Sequence, residues 1–300
     1  MILPIAHVGG GVFEPLQLLP PFAALGAYAL RARTLAREGR PVPPARLVCF
    51  ALGVALVIAA LTTPVAHIGG ELVLAHMAQH LLMADLGALF LVLGLTGPLL
   101  QPLLATRLAH ALRVLAHPVV AFVLWALDLY VWHLPVLYEA SINSAPVHAL
   151  QHTTFVFFGV AMWFALLGPL PQPEWFGNGA KLLYIVGVRL TGALLANIFI
   201  WSESVFYPDY RPGQAQWDIT PLEDQGIAGT IMMLEGSIVT VVLLGWLFLK
   251  TARESEERQK LVEYASEHGL ELSEQRAARA VAAGRGEELR RRLDRAAAPR

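Results

Sequence analysis

Apolar residues run through this chain in seven long blocks, at about 13–30, 47–66, 72–95, 118–138, 147–170, 180–202 and 226–249. A bilayer's hydrocarbon core of about 30 Å takes roughly 20 apolar residues as helix, because each backbone polar group must be satisfied inside the segment. Every block is close to that length. Pro64, Pro98, Pro118, Pro146 and Pro169 stand at or near block ends, where proline limits helices. The pattern predicts an all-α integral membrane protein with seven transmembrane helices over residues 1–250. A charged helical tail is expected over 251–300, with good helix formers and sparse apolar positions.

The cations between blocks orient the chain. The first connection holds Arg31, Arg33, Arg37, Arg40 and Arg46, the third holds Arg107 and Arg113, the fifth ends at Lys181, and 12 of the 22 Lys and Arg residues lie between Lys250 and Arg300. The opposite side has Arg211 among Glu203, Asp209, Asp218, Glu223 and Asp224. Positive charge marks the cytoplasmic side. The N-terminus is therefore expected outside and the tail in the cytoplasm, in an inner membrane. Trp125, Trp132, Trp201, Trp217, Tyr207 and Tyr210 mostly suit the interfacial aromatic belt.

Composition agrees, with 56% hydrophobic and 15% charged residues, against about 25% charged in an ordinary soluble domain. The lipid bilayer is an expected partner and nucleic acid is not. A single cysteine, Cys49, excludes a disulfide framework, a Cys-rich zinc site and a CxxC redox pair. Residues 1–14 have no basic stretch before their apolar part, so a cleaved signal peptide is not expected.

A repeat is visible in the middle of the chain. His76-Met77-Ala78-Gln79-His80 and His148-Ala149-Leu150-Gln151-His152 both read H-x-x-Q-H, each with a glycine eleven residues after its first histidine, Gly87 and Gly159. The phrases Gly97-Pro98-Leu99-Leu100-Gln101-Pro102 and Gly168-Pro169-Leu170-Pro171-Gln172-Pro173 then end the two blocks. With Pro64-Val65 and Pro135-Val136 at matching offsets, this predicts a parallel repeat of a helix pair, spans two and three against spans four and five. Such repeats often form a site at their interface.

The two motifs bring chemistry to one depth. Residues i and i+4 share a helix face, which predicts one stripe of His76, His80, Met83 and Gly87 and another of His148, His152, Phe155 and Gly159. Both begin within about two turns of the outer surface, at 1.5 Å per residue, and His133 near the outer end of span four joins them. Imidazole suits copper, zinc and iron, and a thioether adds a preference for Cu(I). The candidate metal ligands are His76, His80, His148, His152, His133 and Met83, with Met77, Met232 and Met233 also in the outer half. A lone intramembrane histidine is more often a packing residue, and His67, His110 and His117 read that way. Asp85, Asp128 and Arg189 are intramembrane polar groups, either linking helices or sharing a proton. Neither aspartate is in helical phase with its own histidine.

The phrases His76-Met77-Ala78-Gln79-His80-Leu81-Leu82 and His133-Leu134-Pro135-Val136-Leu137-Tyr138, with the run from His148 to His152 leading to Trp163, resemble the membrane-embedded CtaG family over roughly residues 15–250. Those proteins are bacterial cytochrome c oxidase assembly factors. The resemblance implies a seven-helix, non-enzymatic plasma-membrane protein that matures the oxidase at its copper centres. Its partners would be oxidase subunits and a periplasmic copper donor. Gly87 and Ala88 stand where the family is expected to carry prolines, and Gln151 where an acidic residue is commoner. The single-span, thiol-bearing copper chaperone of the same name is a different protein, and lone Cys49 could not supply its chemistry. Two other readings remain open on the residues: a zinc-dependent membrane hydrolase using three His and an Asp, and a haem-binding protein with histidine axial ligands. A retinal photoreceptor is disfavoured because span seven has a lysine only at its end, Lys250.

Overall fold

Proline begins many of the helices of this chain, since the first helical position has no use for its missing N–H. The computed structural model describes residues 15–297 except Thr63. Among these residues every regular element is helical. After a 3₁₀ turn (Pro15–Leu18) come α1 (Leu19–Arg37), α2 (Pro44–Thr62), α3 (Pro64–Ile68) and α4 (Val73–His80). A π-helical turn, Leu81–Gly87, joins α4 to α5 (Ala88–Gly94). Next are α6 (Gly97–Leu104), α7 (Leu108–Leu115), α8 (Pro118–Trp132), α9 (Pro135–Asn143), α10 (Ala145–Leu167) and α11 (Asn178–Trp201). A short 3₁₀ turn (Pro208–Tyr210) leads to α12 (Arg211–Gln216), then α13 (Pro221–Glu267), α14 (Glu274–Ala282) and α15 (Gly286–Ala297).

Five helical stretches are long and apolar enough to cross a membrane: Pro44–Thr62, Val73–Gly94, Ala145–Leu167, Asn178–Trp201 and Pro221–Glu267. A sixth arises if α7 and α8, bent by 75° at their junction, count as one span. The other predicted blocks are helical but differ in detail. The first has its opening residues, 13 and 14, outside the described residues, and α1 carries Arg31, Arg33 and Arg37 in its second half. The fourth block, expected to run to about residue 138, breaks after Trp132. Pro135 can donate no hydrogen bond and holds Leu134 extended at ψ 129°.

The surface of α11 shows what environment these helices suit. Leu183, Val186, Leu190, Leu194 and Ile198 lie three or four residues apart and are all exposed. Such a continuous apolar stripe is unfavourable in water and at home in hydrocarbon.

The chain divides into two compact units, Met1–Ile238 and Val239–Arg300. In the first, α2 packs along α4, the π turn and α5, while α10 packs against α8, α5 and the π turn. Glycine permits the closest of these approaches. A Cβ on Gly94 would meet the backbone of Phe50, and one on Gly159 would overlap the carbonyl of Ala84. In the second unit Leu261, Ala265, Val281, Leu289 and Leu293 form a small core. Ser273 caps α14 by accepting from the Arg276 N–H at 3.3 Å, and the Arg290 guanidinium lies 3.4 Å from the Tyr264 ring centroid.

The contact of α10 with the π turn is expected to be intolerant of bulk. Gly159→Leu should lower stability by at least the overpacking cost of about 1–3 kcal/mol, read from thermal unfolding in detergent. Gly226→Ala, where a Cβ meets open space within a helix, should not lower the melting temperature and should raise it slightly.

Candidate metal centre

Helices α4 and α10 each deliver two histidines one turn apart, and the four rings form one cluster. The His76 and His80 rings are 4.3 Å apart, and those of His148 and His152 are 4.0 Å apart. Across the helices, His76 is 5.4 Å from His148 and 6.3 Å from His152, and His80 is 5.3 Å from His152. Potential ligand nitrogens of His76, His80 and His152 all lie within 4.8 Å of one another, and no carboxylate joins that group among the described residues. Nitrogens bound to one tetrahedral ion at 2.0–2.1 Å would be about 3.4 Å apart, so small side-chain rotations would close the set.

The hydrogen bonding of these rings is incomplete on the inward side. Both nitrogens of His80 and Nε2 of His152 are buried with no hydrogen-bond partner. The Nε2 of His76 is likewise buried without a hydrogen-bond partner. A buried polar atom left in this way costs about 1–3 kcal/mol. A metal ion would satisfy these lone pairs together, so the residues present fit one.

The Nδ1 atoms of His76 and His152, by contrast, are engaged. The Nδ1 of His76 is 3.3 Å from the Gly69 carbonyl and 2.9 Å from the Tyr210 hydroxyl. A carbonyl only accepts, so Nδ1 carries the proton and Nε2 keeps its lone pair for the cluster. Tyr210 also donates toward the Gly69 carbonyl at 3.2 Å, and burial raises the pKa of its phenol, which keeps it neutral. His152 Nδ1 lies 2.9 Å from Gln17 Oε1. Contacts of this type set ring orientation and tautomer at metal sites.

The start of α4 is held from far along the chain. The Asp224 carboxylate accepts from the Val73 and Leu74 N–H groups, both at 2.9 Å, and from Gln214 Nε2 at 2.8 Å. These are orphan donors of the helix N-terminus. Glu71 accepts from Trp217 Nε1 at 2.6 Å, and Gly213 packs directly on the Glu71 backbone. The motif glutamine Gln79 ties α4 to α2 by donating to the Ala60 carbonyl at 2.9 Å. Sequence reasoning finds in Asp224 only a loop charge, since nothing near it in sequence points to a helix 151 positions away.

Two predicted ligands are placed differently. His133 sits beside the four-ring cluster, with Phe155 and Tyr138 each in ring contact with it and with a cluster histidine. Met83 is packed with Val57 and Ala60. The expected stripe therefore ends at His80, because the π turn adds a residue to the helical path and rotates the later side chains by about 100°. Gly87 likewise turns to Val57 of α2. A different thioether, that of Met77, meets His133, with Sδ 3.5 Å from Nε2.

The other described histidines and intramembrane charges singled out in the sequence are outside the cluster. His67 lies 3.7 Å from Glu71, and His117 is in ring contact with Trp175 at 5.8 Å. Asp85 accepts from Trp163 Nε1 at 3.0 Å and adjoins the Glu235 carboxyl. Arg189 donates to the Met233 carbonyl at 3.0 Å and to Ser237 Oγ at 2.9 Å, with Glu235 nearby, so its anchors are on α13 rather than at Asp85 or Asp128. Asp128 adjoins Thr154 and Trp132.

A bundle of apolar helices with a buried histidine cluster defines a membrane protein built around a candidate metal centre. The chain belongs to the cytochrome c oxidase caa3 assembly factor family (Caa3_CtaG), whose sequence model matches residues 26–254. It is similar to uncharacterized proteins of Mycobacterium bovis and Mycobacterium tuberculosis, each 24% identical over 247 residues, covering 76% of this chain and 37% of the relative. A Mycobacterium leprae protein, also uncharacterized, is 23% identical over 237 residues, 73% of this chain and 36% of its own. The chain thus spans little more than a third of the length of these relatives. No solved structure matches it.

Removing the α4 clamp should be costly. Asp224→Ala leaves two N–H groups and the Gln214 amide without their acceptor, at about 1–3 kcal/mol each. Its melting temperature should fall well below that of Asp224→Asn, which retains one acceptor oxygen.

Proposed function

We propose that this chain serves the assembly of cytochrome c oxidase by taking Cu(I) at the cluster of His76, His80, His148 and His152 and releasing it to an oxidase subunit. Copper here is cargo. The single observation that carries the reading is the set of inward imidazole nitrogens left unmatched in a buried site, in a chain of an oxidase assembly factor family. Imidazole is a good ligand for copper, and a site without thiolate holds the ion less permanently. Tyr210 and the Gly69 carbonyl orient His76, and Asp224 fixes the helix start that carries it.

The topology proposed with this function has seven crossings, with α1 and the α8–α9 segment completing the set and the N-terminus outside. The arginines in the second half of α1 and just beyond it, with the cation-rich tail, support that orientation. It sets the histidines toward the periplasm, where a copper donor and the maturing subunit would meet them. The parallel repeat of H-x-x-Q-H helix pairs belongs to the same proposal.

The zinc hydrolase reading has less support. It requires a carboxylate near the metal-bound water, and Asp85 is instead engaged with Trp163. Haem fits less well again, because rings packed 4.0–5.4 Å apart give no slot for a macrocycle.

The test is a Cu(I) competition titration of the purified full chain in detergent. Replacing His76, His80, His148 and His152 together by Ala should abolish tight binding, and unchanged affinity would end the proposal. Tyr210→Phe should weaken binding about 10–100-fold, the usual effect of losing an orienting partner, with the number of ions bound unchanged.

A further inference from the structure

His133 and Met77 make a contact that hydrogen bonding does not explain. The Nδ1 of His133 lies 2.7 Å from the Leu129 carbonyl oxygen. That oxygen can only accept, so Nδ1 is the protonated nitrogen, and in a neutral ring Nε2 then bears a lone pair. This lone pair faces Met77 Sδ at 3.5 Å, and a thioether sulfur has only lone pairs to offer. Two acceptors are therefore in contact with no proton between them. A second ring proton would put a cation among Tyr138, Phe155 and Phe199, the aromatic neighbours of His133, at a high desolvation cost. A water molecule does not fit in a 3.5 Å gap. Both side chains are buried, Met77 with 1% of its surface exposed and His133 with 9%.

The geometry points to a second metal site in this chain, formed by His133 Nε2 and Met77 Sδ and suited to a soft monovalent cation, Cu(I). With metal–nitrogen and metal–sulfur bonds of about 2.0 and 2.3 Å, a 3.5 Å separation corresponds to an angle of about 110° at the ion. The site is therefore bent and has room for a further ligand. A neutral thioether favours Cu(I) over Zn(II) or harder cations. Tyr207 supports it by donating to the His133 carbonyl at 2.8 Å. Phe155 and Tyr138 stand beside both this pair and the four-histidine cluster. The pair goes beyond the cluster reading and does not depend on it.

Loading the purified full chain with excess Cu(I) under anaerobic conditions, and in parallel with Ag(I), tests this. Metal content is measured after desalting, and X-ray absorption reads the copper ligands. The wild type should show a sulfur shell at about 2.3 Å. Met77→Leu, which conserves volume, should lose that shell and bind one ion fewer, with Zn(II) uptake unaffected. The double variant His80→Ala with His152→Ala should keep the sulfur shell, even if the copper held by the histidine cluster is lost. A wild type without copper–sulfur scattering overturns the inference with no variant needed. So does a Met77→Leu protein that retains both the shell and the full metal content. Failure of the histidine cluster to hold copper, with the sulfur shell intact, counts against the cluster alone.

Discussion

A neutral imidazole has one nitrogen that donates and one that accepts, and it cannot leave both dry without cost. Packing four such rings together at the interface of α4 and α10 makes that constraint acute. The outer nitrogen of His76 finds the Gly69 carbonyl and Tyr210, and that of His152 finds Gln17. Inward, His80 has no partner at either nitrogen. The cluster is thus destabilising to the bare protein and is maintained by the rest of the bundle: the capped start of α4, the Gln79 bond to α2 and the Gly159 contact with the π turn. These unmatched nitrogens are what the copper proposal rests on.

The polar groups deeper in the bundle obey a different logic. Arg189 directs its donors to carbonyl and hydroxyl groups of α13, and Asp85 accepts from the Trp163 indole. These bonds cross between helices. Few polar bonds are needed to fix the register of apolar surfaces that otherwise slide easily past one another.

The parts of this structure that depend on spacing alone are legible in the sequence. An H-x-x-Q-H motif places its histidines one turn apart in any α-helix, so two copies are enough to read a cluster of four rings. Proline marks most of the helix starts, yet Pro135 falls inside a predicted span and breaks the helix there. Its missing N–H acts on the residues before it, and a continuous apolar block conceals that. The π turn at Leu81–Gly87 is not legible either, because it arises from how the helix packs and has no composition of its own. It takes Met83 and Gly87 off the histidine face. Met77, adjacent to a motif histidine, is the thioether that meets an imidazole instead. The Asp224 clamp depends on tertiary proximity that no local pattern records.

That clamp has a consequence for the order of biogenesis. All four cluster histidines are made by residue 152, whereas the carboxylate that secures α4 is residue 224 and the phenol behind His76 is residue 210. A chain emerging from the ribosome would therefore own every imidazole well before it could hold them in place. The cluster would gain these supports only once residues 210 and 224 had been made.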